Sequence, residues 1–238
     1  MKPATFKQPL FAFAIPPHRR GPKRTKKSRV PHASRPELKK GNVAHVTIKL
    51  RADLPSLRKG EAFTVVRAAI GRVNSGQWIR IVEYSIQSNH VHMLIEAANS
   101  ADLSRGMASL NTGLGMRLNR IWNRTGQGSV FEERFHLVVI SSPNQMRKAL
   151  NYVLQNSAHH GIRLRHLDPC SSAQSFGGWR QYQGSIIVAR AAAICVSAQP
   201  QTWLLRVGWQ KVNGQRHLLL TTQPPSIDIT RTGQTLRS

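Results

Sequence analysis

Between His45 and Ala158 the spacing of apolar residues switches repeatedly between two periods, and the order of those switches is the strongest constraint on the fold. His45 to Leu50 alternates at period two, which predicts a strand. From about Ser56 to Val73, Leu57, Phe63, Val66, Ala69 and Ile70 recur at helical spacing. Trp78 to Gln87 reads as a second strand, Ser88-Asn89 as a tight turn, and His90 to Glu96 as the hairpin partner. Leu103, Met107, Leu110, Leu114, Leu118, Ile121 and Trp122 mark a long helix, ended by Gly126-Gln127-Gly128. Phe135 to Ile140 predicts a fourth strand. Ser142, Pro143 and Gln145 then read as N-cap, first helical residue and capping box of a helix running to about Ala158. The order β-α-β-β-α-β is the split-βαβ, ferredoxin-like sequence of elements. The expected class is α+β: an antiparallel sheet with helices on one face, plus a C-terminal helix that carries a tyrosine.

Composition divides the rest of the chain. Residues 1–42 hold seven of the 13 prolines together with Arg19, Arg20, Lys23, Arg24, Lys26, Lys27 and Arg29. Proline and like charge oppose a packed core, so this stretch reads as a flexible basic arm suited to phosphate contact. Residues 43–165 form the expected catalytic domain. Residues 166–238 are irregular and read as an accessory segment draped on it, with Ile186 to Val196 either helix or strand and Thr202-Trp203-Leu204-Leu205 opening a short helix.

The formal net charge is +25, from 35 Lys+Arg against 10 Asp+Glu, which suits a polyanion partner. No apolar run reaches the ~18 residues a membrane-spanning helix needs, so no membrane role is expected. Cys170 and Cys195 are too few for a disulfide framework and fit a reducing cytoplasm.

Chemistry concentrates in two places. If His90 to Glu96 is a strand, His90, His92 and Leu94 share one face, so two imidazoles project together from a rigid element. That is half of a divalent metal site or a pair of phosphate donors. The helix after the fourth strand carries Tyr152 and Asn156, four apart and so on one helix face. A helix crossing the sheet brings that face to the histidines, so that His90, His92 and Asn156 can hold a cation and Tyr152 can act as a nucleophile on a phosphodiester. Of the other two tyrosines, Tyr84 lies on a strand, near the site or in the core, and Tyr182 lies in the irregular tail.

Asn89-His90-Val91-His92-Met93-Leu94 resembles the HUH motif of the single-tyrosine HUH (IS200-like) transposases. Gly128 to His136 resembles the segment before that family's last strand, and Tyr152-Val153-Leu154-Gln155-Asn156 resembles its tyrosine helix. The likeness spans roughly residues 43–162. The long basic arm and the tail make it most similar to the REP-associated tyrosine transposases. The resemblance implies a metal-dependent endonuclease and strand transferase acting on single-stranded, hairpin-bearing DNA. His90, His92 and Asn156 would bind Mg²⁺ or Mn²⁺, and Tyr152 would form a 5′-phosphotyrosine and release a 3′-hydroxyl. It implies a monomer or homodimer in the bacterial cytoplasm, associated with the nucleoid, with Tyr152 used in its own subunit or in a partner's.

Related tyrosine helices often continue Asn-Pro, whereas Asn156 is followed by Ser157-Ala158-His159-His160. The missing proline should lengthen the helix slightly, and His159 and His160 are alternative ligands. Arg117, Arg120 and Arg124 on the long helix, and Arg134, which alternates with His136 on the fourth strand, join the basic arm as candidate DNA contacts. The competing readings are a catalytically inactive hairpin nucleic-acid-binding protein of the same fold, and an unrelated basic RNA-binding or ribosome-associated protein.

Overall fold

The computed structural model describes residues 35–159, 166–182, 195–211 and 219–221. Four strands, β1 (Val43–Lys49), β2 (Ile79–Ile86), β3 (His90–Ala97) and β4 (His136–Ile140), form one sheet in the order β2-β3-β1-β4. Every pairing is antiparallel. Helix α1 (Gly60–Asn74) follows β1, α2 (Ser100–Ile121) follows β3, and α3 (Pro143–Leu154) follows β4, with a single further turn, α4 (Asn156–His159). This is the ferredoxin-like arrangement. Among the described residues no helix is long and apolar enough to cross a membrane.

Strand alternation sorts the side chains into two cores. Ala44, Val46 and Ile48 of β1 and Val91, Met93 and Ile95 of β3 pack with the buried stripe of α1 (Ala62, Val66, Ala69, Ile70, Val73) and of α2 (Leu103, Met107, Leu110, Leu114, Leu118). Tyr84 belongs to this core. Helix α2 approaches β2 so closely at Gly106 that a Cβ there would sit 2.4 Å from Ile79 Cγ2. Asn99 caps α2 by accepting from the Asp102 amide.

Helices α1 and α2 share one face of the sheet, as the β-α-β-β-α-β order predicts. Helix α3 packs on the opposite face, where Met146, Leu150, Val153 and Leu154 join Val43, Leu94 and Ile140 in a second core. The geometry follows from the chain: β4 ends at an edge of the sheet, and Ser142, whose side chain accepts from the Gln145 amide, starts α3 after a two-residue link.

The C-terminal segment completes this second layer. Trp179 is fully buried and its indole donates to the Ala173 carbonyl, while Leu204, Leu205 and Trp209 pack beside it. Arg58 makes a two-pronged ion pair with buried Asp168. Glu96 accepts from the amides of Gln201 and Thr202, at the start of the helical turn Trp203–Arg206. Backbone bonds from Ile86 to Cys170 and from Ala198 to Ile81 cover the free edge of β2, which would otherwise offer a template for another strand. At the other end, residues 35–42, grouped with the arm by composition, also touch the core: Leu38 is buried and the Arg35 guanidinium stacks on the Phe135 ring. The basic residues Arg19 to Arg29, and residues 186 to 194 of the stretch expected as helix or strand, lie outside the described residues.

Candidate active site

His90 and His92 lie on β3 on the face that α3 covers. Their rings meet edge to face with centroids 4.9 Å apart. Asn89 Oδ1 lies 3.0 Å from His90 Nδ1. Across the sheet, the β1–β3 register sets Thr47 opposite His92 and Lys49 opposite His90. Thr47 Oγ1 accordingly reaches His92 Nδ1 at 2.9 Å, and His45 Nε2 lies 3.3 Å from the same nitrogen. His92 is buried, whereas His90 and His45 are half-buried.

Helix α3 brings Tyr152 to this cluster. Its ring stands edge-on to His92 at 5.1 Å between centroids and to His45 at 5.9 Å. Tyr152 remains 38 % exposed, beside half-buried His45 and His90, so this side chain stays within reach of a strand arriving from solvent. The reason lies in the helix periodicity: Ala149, Leu150, Val153 and Leu154 turn to the sheet and Tyr152 falls at the edge of that stripe.

Asn156 is placed differently from expectation. The helix does not run through to Ala158; it stops at Leu154, Gln155 leaves helical geometry, and a new turn begins at Asn156. Gln155 holds the break with its side-chain amide, which donates to Asn151 Oδ1 and to the Thr221 carbonyl. Tyr152 and Asn156 therefore do not share the face of one continuous helix. Asn156 is fully buried, and neither its carbonyl oxygen nor its amide nitrogen has a hydrogen-bond partner, so no bond joins it to either histidine. Buried amides are nearly always satisfied, and an orphan of this kind marks a missing partner. A divalent cation accepted by Oδ1 is one such partner, and two imidazoles with an amide oxygen are a donor set that suits Mg²⁺ or Mn²⁺. Among the described residues no group of three or more His, Cys, Asp or Glu side chains offers another metal site.

His45 was not singled out by sequence. Burial, and after it the electrostatic effect of neighbouring His136, pushes its imidazole down to about 4, so it is neutral near pH 7. His136 itself is exposed, opposite Thr47 on β4. Lys49, on the same face, is paired with Glu132 at 2.7 Å. The alternation that identified the His90-His92 pair also holds for His45-x-Thr47, and that was the available signal; what sequence lacked was the register that sets the two pairs side by side.

The candidate DNA contacts separate. Arg19, Arg20, Lys23, Arg24, Lys26 and Lys27 lie outside the described residues, as do the His159 side chain and His160. Arg117 and Arg120 belong to α2, in the layer across the sheet from the histidines, and Arg124, just beyond it, lies 3.9 Å from Asp53. Arg134, expected on the fourth strand, is exposed and lies two residues before β4 begins at His136.

Residues 47–156 match the family model described as IS200-like transposase. No curated protein matches the chain. A solved structure of a REP-associated tyrosine transposase bound to a REP hairpin superposes with a TM-score of 0.51 at 17% identity, covering 73% of this chain and 93% of that one. A crystal structure of a Deinococcus radiodurans R1 protein, named only provisionally as a transposase, gives a TM-score of 0.36 at 11% identity over 58% of this chain and 97% of that one.

Proposed function

We propose that this chain, with its IS200-like transposase domain over residues 47–156, is a metal-dependent endonuclease and strand transferase that cuts single-stranded DNA beside a hairpin. The observation that carries the reading is the contact of the Tyr152 and His92 rings at 5.1 Å, formed by residues 60 positions apart on different elements. The hairpin is suggested by the REP hairpin bound to the structural neighbour, and the net charge of +25 is suited to holding it.

His90, His92 and Asn156 would hold Mg²⁺ or Mn²⁺, the two rings through Nε2 and the amide through Oδ1. The bound cation would supply charge stabilisation at a non-bridging phosphate oxygen, which lowers the barrier to displacement. Tyr152 gives up its phenolic proton and its oxygen attacks phosphorus. A phosphorus–oxygen bond forms to the tyrosine and the bond to the 3′ oxygen breaks, the 3′ oxygen taking up a proton as it leaves. The product is a 5′-phosphotyrosine and a free 3′-hydroxyl. Because one phosphodiester is exchanged for another, a 3′-hydroxyl can attack the phosphotyrosine and rejoin a strand without nucleotide energy.

The test is covalent capture. End-labelled single-stranded hairpin DNA from beside the protein's own gene is incubated with the protein in Mn²⁺ or EDTA and run in SDS. The expected result is a metal-dependent adduct that Tyr152→Phe abolishes while hairpin binding survives. Cleavage at an unchanged rate in that variant sinks the mechanism. Tight hairpin binding with no adduct on several hairpins would identify a catalytically inactive binding protein instead.

A further inference from the structure

Both site histidines have an oxygen at the same ring atom. Thr47 Oγ1 lies 2.9 Å from Nδ1 of His92, and Asn89 Oδ1 lies 3.0 Å from Nδ1 of His90. The two oxygens come from unrelated places, one from the neighbouring strand through the β1–β3 register and one from the turn residue before β3. Neutral imidazole carries one proton, and whichever nitrogen is not protonated presents a lone pair. An amide oxygen is only an acceptor, so the His90 contact requires the proton on Nδ1. A hydroxyl can accept in the same way, and His45 Nε2, 3.3 Å from the same nitrogen, accepts there when its own ring carries its proton on Nδ1.

We propose that Thr47 and Asn89 are positioning residues that lock His92 and His90 in the Nδ1–H tautomer, so that each ring offers its Nε2 lone pair to the same divalent cation. The inference rests on the metal reading of the site given above and adds the residues that orient its ligands. Partners of this kind fix the orientation of a ligating imidazole and raise its basicity, and their loss costs about 10- to 100-fold in metal affinity. Thr47 is half-buried beside His92, at the end of the sheet where Lys49 pairs with Glu132.

The experiment uses the full chain and two readouts. In the first, Mn²⁺ alone is titrated against wild type, Thr47→Val, Thr47→Ser, Asn89→Leu and Asn89→Asp, and free Mn²⁺ is followed by electron paramagnetic resonance. Thr47→Val and Asn89→Leu should each weaken binding about 10- to 100-fold, while Thr47→Ser and Asn89→Asp, which keep the oxygen, should stay near wild type. Thermal melts in EDTA check that the variants fold. In the second, nitrogen NMR of the imidazoles without metal should show both rings protonated at Nδ1 in wild type, with Thr47→Val releasing His92 alone. Wild-type rings protonated at Nε2, or Thr47→Val binding Mn²⁺ as wild type does, overturns the inference while leaving the metal site intact. A wild type that does not bind Mn²⁺ overturns the metal reading and this inference together.

Discussion

Asn156 is the residue at which stability and the proposed chemistry part company. Its amide is fully buried with both polar atoms unpartnered, and an unsatisfied buried polar group costs about 1–3 kcal/mol. Asn156→Leu replaces that amide by an apolar group of similar size, so the metal-free protein should melt at the same temperature as wild type or a few degrees higher. Mn²⁺ affinity should fall in the same variant. Thermal melts in EDTA beside a Mn²⁺ titration check both, and a variant that melts well below wild type while still binding Mn²⁺ would mean the amide serves the fold and not a cation. At this scale sequence served unevenly. His90, His92 and Tyr152 were legible because strand alternation and helix position fix which way a side chain faces. His45 and Thr47 were not, because what makes them part of the site is a register partner some 45 residues along the chain, and register depends on the whole sheet.

Elements carry their own tension, and β2 carries the most. Its pairing with β3 slips between Ile81 and Glu83, so Val82 and Glu83 both face the second core, and Glu83 lies buried there. Burial outweighs the hydrogen bond from Ser172 and pushes the Glu83 carboxyl up to about 8. In the unfolded chain this acid ionises above about pH 4.5, whereas in the folded chain it keeps its proton until about pH 8. The folded state therefore binds the extra proton, and the stability linked to it is greatest below pH 4.5 and is lost as pH rises to 8, by on the order of a few kcal/mol. Glu83→Gln removes the titration. The stability difference between variant and wild type, from urea melts, should move in favour of the variant between pH 5 and pH 8, since other titrating groups cancel in the difference. A flat difference would show that the carboxyl is ionised in the folded protein. The strands and helices themselves were readable from periodicity, and the start of α3 from Ser142 and Pro143. Its end was not, because the break at Gln155 depends on the carbonyl of Thr221, 66 residues away, and no local pattern encodes that. That α3 crosses to the histidine face was expected, but its packing partners there were not, because Trp179, Leu205 and Trp209 come from the segment that looked irregular.

At the scale of the whole molecule, the parts of the proposed site belong to one chain. Arg147 donates to the Leu219 carbonyl and Gln155 to the Thr221 carbonyl, so the C-terminal segment ties both ends of α3. The apolar stripe of α3 is buried against its own sheet, and Tyr152 meets His92 of the same chain. Exchanging α3 with a second copy would expose Met146, Leu150, Val153 and Leu154 until a partner covered them, at about 1.5–3 kcal/mol for each large apolar side chain. Tyr152 is therefore expected to act within its own subunit even if the protein dimerises on DNA. Mixing Tyr152→Phe with His92→Ala protein tests this in the capture assay. Each variant lacks one half of the site, and the mixture should give no more adduct than either alone. Adduct restored on mixing would mean that the tyrosine of one chain reaches the histidines of another, which requires α3 to leave its own core despite the ties at Arg147 and Gln155.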